Sequence, residues 1–129
     1  MQNLLIGCHV SIAGGVFNAP KNAFDLGCET FQIFSRSPQG GLGPELTDEV
    51  LEKFRDAMKQ YKLETFVIHT PYFINFGSGS KRIYHGSISV VRQELERGSL
   101  LGAAYVMFHP GSFKDLGAEV GMKQAQDGL

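Results

Sequence analysis

Short apolar segments alternate with amphipathic segments along the chain. Each apolar segment is rich in β-branched and aromatic residues, which predicts a strand, and each leads through a loop to a segment whose apolar residues recur at helical spacing. The predicted strands are residues 4–10, 30–34, 65–69 and 104–109. Thr47 is a predicted N-cap, while Gly27 and Gly102 are predicted to end the helices before them. The pattern therefore predicts four strand–helix units.

The strict alternation of strands and helices indicates the fold class. Parallel neighbours cannot be joined by a tight hairpin, so each strand is expected to reach the next through a helix and in the right-handed sense. Strands as apolar as these are expected to be covered on both faces. We predict an α/β fold of parallel (β/α) units, in a single domain over residues 1–129.

Composition removes several classes of function. No segment approaches the roughly 18 consecutive apolar residues of a membrane span, so no membrane partner is expected. A formal net charge of -1 excludes a histone-like protein that holds nucleic acid by bulk charge, although a small basic or aromatic patch still allows DNA as a partner. Cys8 and Cys28 are too few for a disulfide framework. They indicate buried, reduced thiols and a cytoplasmic location.

Unusual polar residues collect at the predicted strand ends. His9, Arg36, His69 and His109 each lie at or just past the C-terminal end of a strand. In parallel α/β architectures this rim is where ligands bind. Neutral imidazole is a common zinc ligand, but a zinc site takes three or four protein ligands. The residues alone leave two interpretations of His69 and His109 open, namely hydrogen-bonded structural histidines or part of a metal site.

Three longer motifs carry a resemblance to a known family. They are His-Thr-Pro-Tyr-Phe-Ile-Asn-Phe-Gly at residues 69–77, Phe-His-Pro-Gly-Ser at 108–112 and Gly-Cys-His-Val-Ser-Ile-Ala-Gly-Gly at 7–15. In this order, at strand ends, they resemble the endonuclease IV family, and residues 31–38 look like its second strand and loop. The resemblance implies a TIM barrel with a three-zinc cluster on its C-terminal rim. It also implies an apurinic/apyrimidinic (AP) endonuclease, which cuts double-stranded DNA 5′ to abasic sites in base-excision repair.

The resemblance further implies roles for single residues of two rim loops. His69 and His109 match two zinc-ligand histidines of the family. Tyr72 and Phe73 match positions from which the family inserts side chains into the minor groove, where they hold the duplex bent and the abasic nucleotide flipped out. Wedges of this kind are physically reasonable, because apolar side chains inserted at a base step offset the cost of unstacking. Since a wedge must be free to enter the groove, Tyr72 and Phe73 are expected to be partly exposed on the rim.

Four other residues near the rim are assigned roles, three of them from the same resemblance. Arg36 is similar to a basic residue of the family's second loop and is expected to contact a DNA phosphate. Ser112 follows His109 and is expected to bind backbone or phosphate. Asn75 continues the loop that holds the aromatic pair and is expected to support the site. His9 is followed by Ser11 and by Gly14-Gly15, so the residues alone favour a structural or supporting role for it.

Chain length limits what this sequence is expected to do alone. A full barrel takes about 250 residues and eight units, so 129 residues predict about half of a TIM barrel of the xylose-isomerase-like or endonuclease IV type. The other zinc ligands are then expected in the second half. Two imidazoles bind zinc weakly, so we expect no nuclease activity from this chain by itself. Two alternatives stay open: a metal-dependent sugar isomerase or epimerase on the same scaffold, and a non-catalytic half-barrel fragment.

A half-barrel also has unpaired strands. Both outer strands present free N–H and C=O groups, which pair readily with another chain. The concave face is expected to leave apolar residues uncovered, among them Ile33, Val67 and Met107. We therefore predict self-association through the open sheet edges, or poor solubility.

Overall fold

A computed structural model describes residues 4–129 and contains four parallel strands with helices between them. The strands are β1 (Gly7–His9), β2 (Thr30–Ile33), β3 (Phe66–His69) and β4 (Tyr105–Met107). The helices are α1 (Ala19–Asp25), α2 (Asp48–Gln60), α3 (Lys81–Leu101) and α4 (Ala118–Gly128). A 3-10 turn at Val16–Asn18 leads into α1. The predicted alternation of strands and helices is confirmed.

The sheet follows chain order, β1-β2-β3-β4, and every neighbouring pair is parallel. Each crossover includes a helix, as parallel pairing requires. The C-terminal ends of all four strands therefore lie at one rim, which also carries the loops that follow β1, β2, β3 and β4. The α/β class and the half-barrel arrangement of (β/α) units are confirmed by this topology.

One face of the sheet is packed against the helices. Phe31 and Ile33 of β2 pair in register with Phe66 and Ile68 of β3. All four are at most 2% exposed, and the same core includes Leu51 and Phe54 of α2. The expectation that Ile33 lies uncovered on the concave face is wrong. Side chains alternate between the two faces of a strand, and the odd-numbered positions of β2 face the helices.

The opposite, concave face carries the even-numbered positions of β2. Gln32 of β2, Val67 of β3 and Tyr105 of β4 lie in one row across it. Val67 and Met107 are only half-buried, as predicted, and Tyr105 is 72% exposed. In a closed barrel the side chains of such a face fill the interior in layers. In this chain, apolar surface on the concave face is in contact with solvent.

Strand β1 is an edge strand within residues 4–129. All three of its residues are exposed, and it pairs with β2 alone. Apolar residues 4–10 predicted a longer strand, but only Gly7–His9 form ladder pairs. Cys8 lies in this strand and is exposed, so the expectation that both thiols are buried is wrong. An edge position, unlike a central one, leaves a side chain without a neighbouring strand or helix on one side.

The helix ends follow the capping signals in the sequence. The Thr47 hydroxyl accepts a hydrogen bond from the Val50 amide at 3.3 Å, which is the N-cap contact predicted for α2. Gly102 ends α3 with a left-handed φ of 80°, and Gly27 adopts a φ of 73° just after α1. Within residues 4–129, no helix is both long enough and apolar enough to cross a bilayer.

Candidate functional site

Two histidine rings meet at the C-terminal rim of the sheet. His69 is the last residue of β3, and His109 follows β4 by two positions. His69 pairs in register with Met107, so alternation along β4 places His109 on the same, concave side. The ring centroids of His69 and His109 are 5.1 Å apart. The structure therefore brings these two predicted site residues together.

The orientation of His69 leaves one ring nitrogen available. The ring is buried, and its Nδ1 lies 2.6 Å from the carbonyl oxygen of Thr70. A carbonyl can only accept, so Nδ1 carries the proton and Nε2 keeps its lone pair in the neutral ring. The Thr70 backbone is itself held in place, because the Thr70 amide donates to the Met107 carbonyl at 2.8 Å. Metal-bound histidines show this arrangement, in which a backbone carbonyl fixes the tautomer.

The spacing of the two rings matches a shared metal ion. Zinc–nitrogen bonds of about 2.0–2.1 Å at tetrahedral angles place the centroids of two bound imidazoles roughly 5 Å apart. The observed separation of 5.1 Å for His69 and His109 agrees with that geometry. Among residues 4–129, no group of three or more His, Cys, Asp or Glu side chains is arranged to hold a metal. The described part of the chain thus supplies a pair of imidazoles and no third ligand.

Aromatic side chains surround the histidine pair. Tyr72 is 64% exposed and Phe73 is 43% exposed, although both are large and apolar. The Tyr72 ring lies with its centroid 5.2 Å from that of His69 and 5.3 Å from that of Phe34. The partial exposure predicted for Tyr72 and Phe73 is confirmed. Exposed aromatic pairs on a ligand-binding rim are typical of contact surfaces.

The loop that carries the aromatic pair is anchored beneath them. Its apolar residues Ile74 and Phe76 are buried against α3 and α4. On the α4 side, the Gln124 amide donates to the carbonyls of Phe76 at 2.7 Å and Ser78 at 2.9 Å. The loop therefore presents two exposed aromatic residues from a fixed base, which lowers the entropy that a ligand contact would cost.

Asn75 connects the two histidine-bearing loops. Its Oδ1 accepts from the amides of Gly77 at 3.1 Å and Ser112 at 3.0 Å, and its own amide donates to Ser87 of α3 at 2.8 Å. Gly111 makes this contact possible, because a Cβ there would lie 2.2 Å from Asn75 Oδ1 and its φ is 100°. These bonds tie the loop after β3 to the loop after β4. The Ser112 side chain is exposed at the rim.

Arg36 lies in the loop after β2, but its side chain is buried. It is 4% exposed, and its Nε donates to Glu94 of α3 at 2.5 Å. Ser35 donates to the other oxygen of the same carboxylate at 2.7 Å, and Glu94 is 0% exposed. A buried carboxylate needs a cation and hydrogen bonds to offset its lost hydration. The phosphate contact expected of Arg36 is not supported by this geometry, because its guanidinium is bound to Glu94.

Glu94 and Arg97 are the site-supporting residues that the sequence did not reveal. Arg97 donates through Nε to the Ser35 hydroxyl, through one terminal nitrogen to the Ser35 carbonyl and through the other to the Pro44 carbonyl, each at 2.7 Å. Burial lowers the pKa of Arg97, while the Glu94 carboxylate opposes that effect. Glu94 shares the buried side of α3 with Val91. Glu94 follows Val91 by three positions, so a charged residue within the apolar stripe of a helix was the sequence signal that could have indicated its burial.

His9 occupies the outer end of the rim. It is exposed, its Nδ1 lies 3.1 Å from Gln32 Oε1, and its ring centroid lies 4.4 Å from that of Phe34. The Phe34 ring in turn has its centroid 5.1 Å from that of His69. Phe34 therefore lies between His9 and His69. An open pocket of about 420 Å³ lies between His9 and the loop after β2.

Comparison with known proteins identifies the family to which this rim belongs. The family model described as xylose isomerase-like TIM barrel matches residues 20–129. The chain belongs to this family. Its parallel strands, its helices on one face and its ligand rim are those of this barrel type.

Within the barrel family, two similar relatives share one name. A probable endonuclease 4 of Methanoculleus marisnigri is 40% identical over 121 residues, which are 94% of this chain and 43% of that protein. A probable endonuclease 4 of Carboxydothermus hydrogenoformans is 34% identical over 124 residues, 96% of this chain and 44% of that protein. The likeness to endonuclease IV that the rim motifs indicated is confirmed.

A solved structure shows the same likeness in three dimensions. The crystal structure of endonuclease IV from Thermus thermophilus superposes with a TM-score of 0.85 at 32% identity. The match covers 97% of this chain and 44% of that one. The chain thus spans somewhat less than half the length of the relatives it matches, which agrees with the half-barrel predicted from its length.

Proposed function

We propose that this chain forms the first half of a zinc-dependent AP endonuclease and carries two of its metal ligands and its DNA wedge. The observation that supports this most directly is the pair of imidazoles at the rim. His69 and His109 lie 5.1 Å apart between ring centroids, and hydrogen bonding leaves Nε2 of His69 free. The substrate is double-stranded DNA with an abasic site. A cytoplasmic location, expected from the sequence, is part of this proposal.

The donor set of the rim fits zinc. His69 and His109 are the residues that would hold it, and neutral imidazole is among its preferred ligands. Bound zinc lowers the pKa of a coordinated water and stabilises the charge on a leaving oxygen. Thr70 keeps His69 in the tautomer that offers Nε2, and the Asn75 bonds hold the loop of His109 beside it. The chain thereby positions a metal-binding pair before any ligand arrives.

Tyr72 and Phe73 are proposed as the DNA-contacting residues of the same rim. Both side chains are exposed beside the histidine pair, and the base of their loop is buried. An aromatic wedge entering the minor groove at an abasic site meets a step that lacks one base, so less stacking is lost there than in intact duplex. Because Tyr72 and Phe73 lie beside the histidine pair, a DNA phosphate adjacent to the unstacked abasic step would come within reach of a metal ion held by the two histidines.

Activity is expected only when the second half of the barrel is present. We would join residues 1–129 to the part of the Methanoculleus marisnigri relative that lies beyond the 43% covered by this chain. The chimera is expected to cut a duplex with one abasic site and to leave the matched undamaged duplex intact. Residues 1–129 alone are expected to cut neither. A folded, zinc-loaded chimera without activity on abasic DNA would refute the proposed function.

Loss of one imidazole is expected to disable the chimera. Replacing His109 by alanine removes a ligand, and we expect cleavage of abasic duplex to fall by at least ~100-fold and bound zinc to fall with it. His85→Ala is the matched control, because His85 is an exposed histidine of α3 whose ring lies beside Tyr84. Gel-based cleavage assays and metal analysis test both variants. Equal losses in the two variants would contradict a ligand role for His109.

Removal of the wedge is expected to weaken binding without unfolding the protein. In the chimera, Tyr72→Ala combined with Phe73→Ala should lower affinity for abasic duplex by roughly 10-fold or more, since aromatic contacts with bases contribute about 1–3 kcal/mol each. The control is Phe24→Ala, which removes an exposed aromatic residue from α1. Fluorescence anisotropy measures the affinities. Unchanged affinity in the double variant would indicate that Tyr72 and Phe73 only pack within the loop.

A sugar isomerase or epimerase remains the second candidate, because the barrel family is described by its likeness to xylose isomerase. A pocket for a small polyol has no use for two exposed aromatic residues at its mouth, which favours the nuclease. The same chimera separates the two, if it is incubated with abasic duplex and with a panel of ketoses and a divalent metal. Turnover of sugar with no cut DNA would establish the isomerase class instead.

A further inference from the structure

The two cysteines of this chain form a close pair outside the rim. Cys8 of β1 is exposed, Cys28 in the turn before β2 is half-buried, and their sulfur atoms are 3.6 Å apart. The residues are 20 positions apart in the chain. Their proximity is therefore a product of the fold, and nothing in the proposed nuclease chemistry uses it.

Backbone hydrogen bonds hold both cysteines in this position. The Glu29 amide donates to the Ile6 carbonyl at 2.8 Å, and the Ile6 amide donates to the Glu29 carboxylate at 3.0 Å. The Cys28 amide donates to the Ala23 carbonyl at 3.0 Å. Cys28 thus has a backbone hydrogen bond of its own, and Cys8 lies two residues after the hydrogen-bonded Ile6. A disulfide needs the sulfurs at about 2.03–2.05 Å, so the two sulfurs would have to approach each other by roughly 1.5 Å.

We propose that Cys8 and Cys28 are a reversible modification site that reacts with low-molecular-weight disulfides, such as oxidised glutathione, to form an intramolecular disulfide. The exposed Cys8 thiolate attacks one sulfur of the small disulfide and releases one thiolate, which takes up a proton from solvent. The Cys28 thiolate then attacks the Cys8 sulfur of the mixed disulfide and releases the second small thiol. Two protein thiols are oxidised, and one small disulfide is reduced to two thiols.

The surroundings of Cys8 set the conditions for this reaction. The hydrogen bond shared with Cys28 raises the pKa of the Cys8 thiol above its ordinary value. A raised pKa reduces the thiolate fraction at neutral pH, so the first step is expected to be slow there and to accelerate in mildly alkaline buffer. The second step is intramolecular and benefits from the closeness of the two sulfurs.

The disulfide has a structural consequence for the edge of the sheet. It would join β1, which within residues 4–129 pairs only with β2, to the segment that enters β2. A disulfide between residues 20 positions apart lowers the conformational entropy of the unfolded chain. We expect the oxidised chain to unfold with a midpoint roughly 5–15 °C above that of the reduced chain. Reduction would return β1 to the lower stability of a three-residue edge strand.

Oxidation of residues 1–129 by glutathione buffers tests the proposal. Protein at low-micromolar concentration is equilibrated at a series of ratios of oxidised to reduced glutathione. The reaction is quenched with an alkylating reagent, and the intact mass of the protein is measured by mass spectrometry. We expect one transition, in which two alkylated thiols give way to a species that has lost two hydrogen atoms and carries no glutathione. Non-reducing gels should show a monomer. A covalent dimer, or two thiols that stay free at every ratio, would overturn the pairing.

Single cysteine variants make the mechanism falsifiable. Cys28→Ser lacks the resolving thiol, so oxidised glutathione should leave a stable mixed disulfide on Cys8 and no change in the unfolding midpoint. Cys8→Ser keeps only the half-buried thiol and should react more slowly than Cys28→Ser. If the wild-type chain accumulates the mixed disulfide to the same extent as Cys28→Ser, then Cys28 does not resolve it and the proposal fails.

Discussion

Replacing Glu94 by alanine is expected to destabilise this chain by about 3–5 kcal/mol. The change removes the counter-charge of Arg36, which is 4% exposed and would be left as a buried cation without its carboxylate partner. It also removes the acceptor of the Ser35 hydroxyl. A small domain is stable by only about 5–15 kcal/mol, so the loss is a large share of the total and the variant should unfold at a clearly lower urea concentration than the unchanged chain, as followed by circular dichroism.

Two further variants separate the buried charge from general damage to α3. Glu96→Ala changes an exposed carboxylate on the same helix and should alter stability by no more than about 0.5 kcal/mol. Arg36→Met combined with Glu94→Leu removes both charges of the buried pair and should be more stable than Glu94→Ala alone, because Arg36 is then not left as an unpaired buried cation. A Glu94→Ala variant as stable as Glu96→Ala would mean that water reaches Arg36.

Self-association of the isolated chain is the second large effect that we expect. Within residues 4–129, β1 and β4 each pair with one strand, and every residue of β1 is exposed. Edge strands with free N–H and C=O groups recruit other chains, and the concave face adds uncovered apolar surface around Tyr105. Light scattering should show dimers or larger species that grow with concentration, and a hydrophobic dye should bind.

A charge placed on the concave face is expected to reduce this association. Tyr105→Lys introduces an ammonium group where a second chain would have to dehydrate it. The control is Leu42→Lys, which changes an apolar residue that is 93% exposed in the loop after β2. Sedimentation velocity compares the two. A wild-type chain that is a monodisperse monomer, melts cooperatively and binds no dye would contradict the prediction for the edges and for this face together.

The rim could be located from the sequence because each of its signals is local. A histidine that ends an apolar run, such as His69 or His109, must lie at the C-terminal end of its strand, and parallel strands bring those ends to one side. Exposure of Tyr72 and Phe73 followed from the motif resemblance. The Thr47 cap followed from the side chain itself, which can accept from an amide three residues later.

The partners of Arg36 could not be read in the same way. Arg36 lies 58 residues before Glu94, and nothing in either neighbourhood tells which helix will cover the loop after β2. The resemblance implied a phosphate contact for Arg36, and only the packing of α3 against that loop buries it. The strand pattern likewise leaves open which of its two faces receives the helices, which is why Ile33 was expected on the wrong side.

The sequence by itself determined the strand–helix order, the helix caps and the end of the sheet at which the polar residues gather. These features depend on side-chain periodicity and on hydrogen bonds within a few residues. Only the tertiary structure decided the Arg36–Glu94 pair, the face that Ile33 occupies and the meeting of Cys8 with Cys28. Each of these depends on contacts between distant segments, whose burial and charge balance exist only once the helices have packed on the sheet.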